Sequence, residues 1–265
     1  MMKRPFFSIV IPFYNRAWSV ERAIASAVAF GTQGVDTEII LIDDGSKDDS
    51  RNVVKRVIDG YASNAQPIIR LVVHERNLGV CAAKNTGAKL ATGMWVVFLD
   101  SDDELIQSAA TEVHRSLQTY RRYPLHFFAC VEEQGLLSRA ADRIEQRAFN
   151  DFLLKGTGGE ALPVVLNDVF REYLYDEDIR GYESLCYLRM VREHNYALLH
   201  SLVVRRYYTE HEDRLSSRAG MKRRWHDLAK GHLRVISQHC SVMTLPVLLK
   251  QCGRFLKAKM LAVVP

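Results

Sequence analysis

The stretch MWVVFLDSDDEL, residues 94–105, runs from apolar and aromatic side chains straight into Asp100, Ser101, Asp102, Asp103 and Glu104. Four carboxylates in five positions repel one another, so the cluster calls for a partner of opposite charge. One reading is a helix start, with Ser101 or Asp102 capping free N–H groups and the acids facing the positive end of the dipole. The other is a divalent cation held by oxygen ligands.

Upstream of this stretch, short apolar runs alternate with segments of helical spacing. FSIVIPFYN (7–15), TEIILIDDGS (37–46), IIRLVVHE (68–75) and MWVVFLD (94–100) read as strands. SVERAIASAVAF (19–30), with Ser19 as cap, DDSRNVVKRVIDGYA (48–62), capped by an acid or Ser50, and GVCAAKNTGAKLA (79–91) read as helices between them. Strands apolar on both faces, each followed by a helix, predict an α/β fold with a mostly parallel, Rossmann-like sheet flanked by helices. Beyond residue 105, SAATEVHRSLQTYRR (108–122) reads as helix and LHFFACVEE (125–133) as strand. Residues 140–200 give mixed, mostly helical signals, and residues from 216 onward read as helices with basic faces.

Composition narrows the class. A chain of 265 residues supports one largish domain or a core domain with an extension. The five cysteines, Cys81, Cys130, Cys186, Cys240 and Cys252, show no CxxC or His–Cys spacing. Zinc and a disulfide framework are therefore not expected, and a reducing compartment fits. The N-terminus lacks an apolar run long enough for a signal peptide, and no charge-free window reaches transmembrane length. Residues 205–265 carry 13 Lys/Arg against 4 Asp/Glu. That basic excess suggests an anionic partner, membrane or nucleic acid, or simply a solubilising surface.

In open α/β sheets, ligands bind outside the carboxyl ends of the strands. Three polar clusters fall there: Pro12, Tyr14 and Asn15; Asp43, Asp44, Gly45 and Ser46; and Asp100, Asp102 and Asp103. No GxGxxG follows the first strand and no GxxxxGK[ST] occurs, so dinucleotide-type and P-loop phosphate cradles are missing. A diphosphate then needs another counter-charge, which a metal on the Asp-x-Asp segment supplies.

Four ordered segments, SIVIPFYN (8–15), EIILIDDGSKDDS (38–50), NLGVCAAKNTGAKLATG (77–93) and VVFLDSDDE (96–104), make the chain resemble a family 2 glycosyltransferase of GT-A fold. The resemblance covers about residues 6–105 and is thin beyond. It implies a nucleotide-sugar-binding part at 1–105, an acceptor side at 106–205, and a basic helical extension at 206–265. Pro12 and Tyr14 then pack on the nucleoside base, and Asp44, with Asp43 beside it, accepts a hydrogen bond from the base. Arg76, Asn77, Gly79 and Lys84, with Asn85, run beside ribose and diphosphate. Asp100 and Asp102 hold Mn²⁺ or Mg²⁺.

The resemblance also implies an inverting transfer, which needs a carboxylate base. Family members often carry Glu-Asp at a helix start; here IRGYESLCYLRM (179–190) has Glu183 followed by Ser184. Glu183 is the candidate base, Asp176 and Asp178 its competitors, and His211 a candidate extra metal or diphosphate ligand.

The implied activity is hexosyl or N-acetylhexosaminyl transfer from a UDP-linked sugar to a saccharide or lipid-linked acceptor in cell-surface polysaccharide synthesis. The rival is a non-catalytic nucleotide-sugar-binding or scaffold protein. A nucleotidyltransferase would want a Gly- and Lys-rich loop where FYNRAWS (13–19) stands.

In the tail LPVLLKQCGRFLKAKMLAVV (245–264), Leu245, Leu248, Leu249, Cys252, Leu256, Met260 and Val263 share one helical face. Lys250, Arg254 and Lys257 fall opposite, and Lys259 would have to snorkel. Such a helix either lies on an anionic bilayer or packs as core. The expectation is a cytoplasmic protein, peripheral at the inner face of the membrane, with no nucleic-acid partner.

Overall fold

The structure is a computed structural model, and it describes residues 4–61, 67–132, 135–136, 144–208 and 224–263. Strands β1 (Phe7–Phe13), β2 (Thr37–Asp43), β3 (Ile68–Val73) and β4 (Trp95–Phe98) alternate with α1 (Val20–Gly31), α2 (Ser50–Tyr61) and α3 (Val80–Leu90). They pair in parallel in the order β3-β2-β1-β4. Every residue of β1, β2 and β4 is buried, as helices on both faces of the sheet require. The smallness of α3 has a reason: a Cβ on Gly87 would come within 2.3 Å of Val10 Cγ1, so that helix lies directly on β1.

The second half departs from the mostly helical reading of residues 140–200. After the short β5 (Glu104–Leu105) and α4 (Ala110–Thr119) comes β6 (Leu125–Glu132), which was expected. The short β7 (Gly135–Leu136) pairs with β6. Besides the two-residue β5 and β7, three longer strands stand where the sequence reading had none: β8 (Ile144–Ala148), β9 (Ala161–Leu166) and β10 (Tyr196–Arg206). β9 runs antiparallel between β4 and β6, and β10 parallel beside β6, so the sheet continues as β4-β9-β6-β10-β5. ALPVVL and YALLHSLVVRR are largely apolar without clean alternation, and each buries consecutive residues, Val164–Val165 and Ala197–His200, so both sheet faces are covered there; an apolar run of that kind does not distinguish strand from buried helix. Helices α5 (Phe149–Lys155), α6 (Asn167–Tyr173) and α7 (Ser184–His194) pack on the side that carries α3.

Two further helices, Trp225–His239 and Leu245–Val263, close the described chain. The first is bound tightly to the loop after α6. Arg234 pairs with Asp176 at 2.8 Å and Asp178 at 2.8 Å, Lys230 pairs with Asp178 at 2.6 Å, and Gly231 lies where a Cβ would meet the Tyr182 ring at 2.5 Å. All five cysteines are free thiols. Among the described residues, no helix is long and apolar enough to cross a membrane.

Candidate active site

The acidic stretch does not start a helix. Leu99 donates its N–H to Val10 O at 3.0 Å, the chain turns at Asp100–Asp102, and Asp103 N–H closes the turn on Asp100 O at 3.1 Å before β5 begins. The turn opens onto a cleft of about 770 Å³ at the carboxyl edge of β1, β2 and β4. The cleft brings together Pro12, Tyr14, Asp44, Asn77, Gly79, Lys84, Asp100, Asp102 and Glu183 from the residues that the sequence singled out.

The counter-charges of the acids are protein cations. Lys84 Nζ lies 3.1 Å from Asp100 Oδ1 and 3.7 Å from Glu183 Oε1. Arg205, almost wholly buried at the end of β10, reaches Asp103 at 3.2 Å, Asp100 at 3.6 Å and Glu160 at 3.5 Å. Burial raises the Asp100 carboxyl, but Lys84 and then Arg205 outweigh it, and the group sits below the ordinary carboxylate range. Asp102 is the exception. Burial, and then the neighbouring Asp100, push its carboxyl upward, and it forms no ion pair among the described residues.

Not every candidate lands in the cleft. Asp43 lies fully buried beneath it, where its carboxylate accepts Ser46 N–H at 2.7 Å and pairs with Arg51 at 2.7 Å. It holds the turn after β2. Arg76 is exposed and does not line the cleft; its backbone packs on Gly45, whose φ of +74° lets the turn pass at a distance that a Cβ would not allow. Asn85 clamps the backbone of Tyr175, donating to its O and accepting its N–H, both at 2.9 Å. His211 lies outside the described residues.

Asp44 faces the cleft but is already engaged. Its carboxylate accepts N–H bonds from Leu78 at 2.9 Å and Gly79 at 2.8 Å and contacts His74 Nδ1 at 2.8 Å. It thereby fixes the entry into α3.

Glu183 occupies the N-cap position of α7 without a side-chain cap bond, so its carboxylate is left for the cleft. The competing acids are consumed elsewhere. Asp176 is bound by Arg189 and Arg234; Asp178 is bound by Arg234 and Lys230, which hold its carboxyl far below the usual range. Neither lines the cleft.

The cleft also contains residues not singled out from the sequence: Arg16, Glu160, Arg180, Tyr207, Tyr208, Arg224 and Asp227, with Arg205 beneath. Arg205 followed a legible signal, since VVRRYY (203–208) is another apolar run ending in polar groups at a sheet edge. Arg224 did not. It reaches Gly181 O at 3.1 Å across the fold, against a glycine whose φ is +67°.

Among the described residues no group of three or more His, Cys, Asp or Glu gathers in metal-binding geometry. The donor set nonetheless suits a hard cation. Six carboxylates line the cleft with four cationic side chains, and Asp102 offers an oxygen pair that no cation contacts in an ion pair among the described residues.

A sheet of this order, with a carboxylate- and cation-lined cleft at its parallel edge, is the GT-A fold. The chain aligns over 95% of its length with S. aureus TarS 1–349 solved with UDP-GlcNAc, at a TM-score of 0.69, 14% identity and 81% of that chain. It aligns over 98% with the mannosyltransferase PcManGT from Pyrobaculum calidifontis solved with GDP-Man and Mn²⁺, at a TM-score of 0.67, 17% identity and 74% of that chain. Residues 8–150 match Glycosyl transferase family 2, and the chain belongs to that family.

Among curated relatives, it is 27% identical over 200 residues to the GalNAc(5)-diNAcBac-PP-undecaprenol beta-1,3-glucosyltransferase of Campylobacter jejuni, covering 72% of this chain and 62% of the relative. It is 38% identical over 101 residues to the succinoglycan biosynthesis protein ExoO of Rhizobium meliloti, covering 38% of this chain and 26% of that relative. The chain thus spans less than two thirds of either relative.

Proposed function

We propose that the chain transfers a hexosyl or N-acetylhexosaminyl group, with inversion, from a UDP-linked sugar to a saccharide or lipid-linked acceptor in cell-surface polysaccharide synthesis. The observation that carries this reading is the presence of Glu183, Lys84 and Asp100 in one cleft, with the base-side and diphosphate-side acids joined through a single ammonium. Glu183 takes the proton of the acceptor hydroxyl as its oxygen bonds to the anomeric carbon. On the opposite face, the bond from that carbon to the diphosphate oxygen breaks, and the leaving charge falls among Lys84, Arg16, Arg180 and Arg224. Pro12 and Tyr14 flank the base, and Asp44 orders the loop at Asn77–Gly79 against the ribose.

Asp102, with Asp100, would hold the Mn²⁺ or Mg²⁺; when bound, the ion supplies charge neutralisation at the diphosphate. TarS solved with UDP-GlcNAc supports a UDP-sugar donor, PcManGT solved with Mn²⁺ supports the cation, and the glucosyltransferase named for a PP-undecaprenol-linked saccharide supports a lipid-linked acceptor.

The C-terminal helix supports a place at the membrane surface. Leu245, Leu249, Leu256 and Met260 are each more than 60% exposed, while Val247, Gln251 and Ala258 face inward. Exposed Lys250, Lys257 and Lys259 flank the apolar stripe, so the matching surface is an anionic bilayer, at the cytoplasmic face.

Thermal stabilisation by a panel of nucleotide sugars, with Mn²⁺ and with chelator, tests the reading. A rise with UDP-sugars that depends on the metal is expected. No stabilisation by any nucleotide refutes it, and binding without donor turnover would mark a non-catalytic binding protein.

A further inference from the structure

A second hollow of about 500 Å³ adjoins the donor cleft. The two share Lys84, Asp100, Glu160 and Glu183 as a common wall. The chemistry of the second hollow differs from that of the first. Its deep side is aromatic, with Phe127 stacked on Phe152 at 5.6 Å between centroids and set edge-on to Tyr187 at 5.1 Å. Phe98 completes that side.

Its other side carries Arg254, from the C-terminal helix. The Arg254 guanidinium donates to Leu153 O at 3.0 Å, Leu154 O at 3.4 Å and Gln251 Oε1 at 3.4 Å, all neutral acceptors. It has no carboxylate within ion-pair distance among the described residues. A half-buried guanidinium without a counter-ion is a ready anion ligand, and its planar fork matches phosphate or carboxylate.

We infer that this hollow is the acceptor site, built for a saccharide that carries a phosphate or carboxylate, with a sugar ring on the aromatic side and the anion at Arg254. The inference rests on the donor-cleft reading above and gives Glu183 its second face. A base in the common wall touches the donor carbon's cleft on one side and the incoming hydroxyl on the other. It also gives the C-terminal helix a second use. The helix that presents an apolar stripe outward sends Arg254 inward, so an acceptor held at a membrane surface reaches the hollow along the same helix.

The test is binding to the full chain by saturation-transfer NMR, with three probe sets: phenyl hexosides, the matching phenyl hexuronides, and hexose 1-phosphates. At least one anionic set should bind about tenfold tighter than the neutral hexosides, the usual worth of a charge-assisted bond. Which anionic set binds separates carboxylate from phosphate acceptors. Arg254→Gln should erase the preference and Arg254→Lys should restore part of it.

UDP should not displace these probes, and UDP affinity measured by calorimetry should be the same in parent and Arg254→Gln. Equal binding of charged and neutral probes, no binding of any probe, or displacement by UDP would each overturn the assignment. If UDP itself fails to bind while the anionic probes do, the donor reading fails and the anion site stands.

Discussion

Glu183 Oε1 lies 3.7 Å from Nζ of Lys84, and the same ammonium lies 3.1 Å from Asp100 Oδ1. Lys84 is nearly inaccessible on α3, and the acids come from the turn after β4 and the start of α7. Burial works against its charge, but Asp100 and then Glu183 more than restore it, so the ammonium is held above its ordinary pKa. The contact couples the proposed base to the proposed diphosphate side.

Glu183→Gln should lower the turnover number roughly 10²–10⁴-fold while donor affinity stays near the parent value, because a base acts in the transition state. Asp176→Asn and Asp178→Asn should instead lower the melting temperature, since both acids are tied to Arg234. Steady-state kinetics beside thermal melts separates the two outcomes. Parent turnover in Glu183→Gln would move the base elsewhere.

Asp102→Asn should weaken nucleotide binding in Mn²⁺ sharply and have little effect in excess chelator. Asp102 forms no ion pair among the described residues, and burial with Asp100 outweighs the pull of Arg16 and Arg205 on its charge, so the variant's melting temperature without ligand should not fall. Calorimetric titration of UDP in both buffers provides the check. Equal affinity of the parent protein with and without metal would defeat the metal assignment.

Asp44→Ala removes an acceptor from Leu78 and Gly79 N–H and from His74. Bonds to a carboxylate of this kind contribute on the order of 1.5–3 kcal/mol, so the variant should melt earlier and also bind donor more weakly. A variant that melts earlier but binds donor normally would reduce Asp44 to a purely structural role.

Stability should fall between pH 7.5 and pH 5. Burial, with His200 adding, holds His126 near 3; burial holds His200 near 4, and burial with Arg254 holds His232 near 4. The unfolded chain takes up these protons near 6.5 and the folded one does not, so acid favours unfolding throughout this window. The cost by pH 5 is on the order of 2 kcal/mol for each histidine that stays neutral. Asp103, raised by burial, gains its proton in the folded state and opposes the trend. The comparison is therefore between parent and His232→Gln, whose melting temperature should depend less on pH over the same interval.

Replacing Leu249, Leu256 and Met260 by Ser should abolish sedimentation with anionic vesicles and leave the melting temperature unchanged, because all three are exposed. Removal of residues 245–265 is a poorer test, since it also strips Val247 and Ala258 from their packing. Sedimentation at the parent level in the triple variant would exclude the stripe as the membrane contact.

The N-terminal half was legible in the sequence because its strands alternate with helices at short range. FSIVIPFYN, TEIILIDDGS and MWVVFLD each end where a polar cluster begins, and parallel pairing carries every such end to one edge. Local order therefore predicted the fold and the neighbourhood of Tyr14, Asp44 and Asp100. It could not predict what each carboxylate touches. Asp43 and Asp44 are adjacent, yet one turns inward to Arg51 and the other outward to the cleft, because successive residues at the end of a strand point to opposite faces. Lys84 and Glu183 meet only because α3 and α7 pack on the same side of the sheet.

The C-terminal helix separates the two levels most clearly. Periodicity determined that Leu245, Leu249, Leu256 and Met260 share a face, since 3.6 residues per turn leaves no choice. Which way that face turns was decided by tertiary packing. Val247, Gln251 and Ala258 lie toward the protein, with Arg254 anchored on the carbonyls of Leu153 and Leu154, so the apolar stripe faces out. A helix's own sequence defines its stripes, but only the surface it packs against selects the one that is buried.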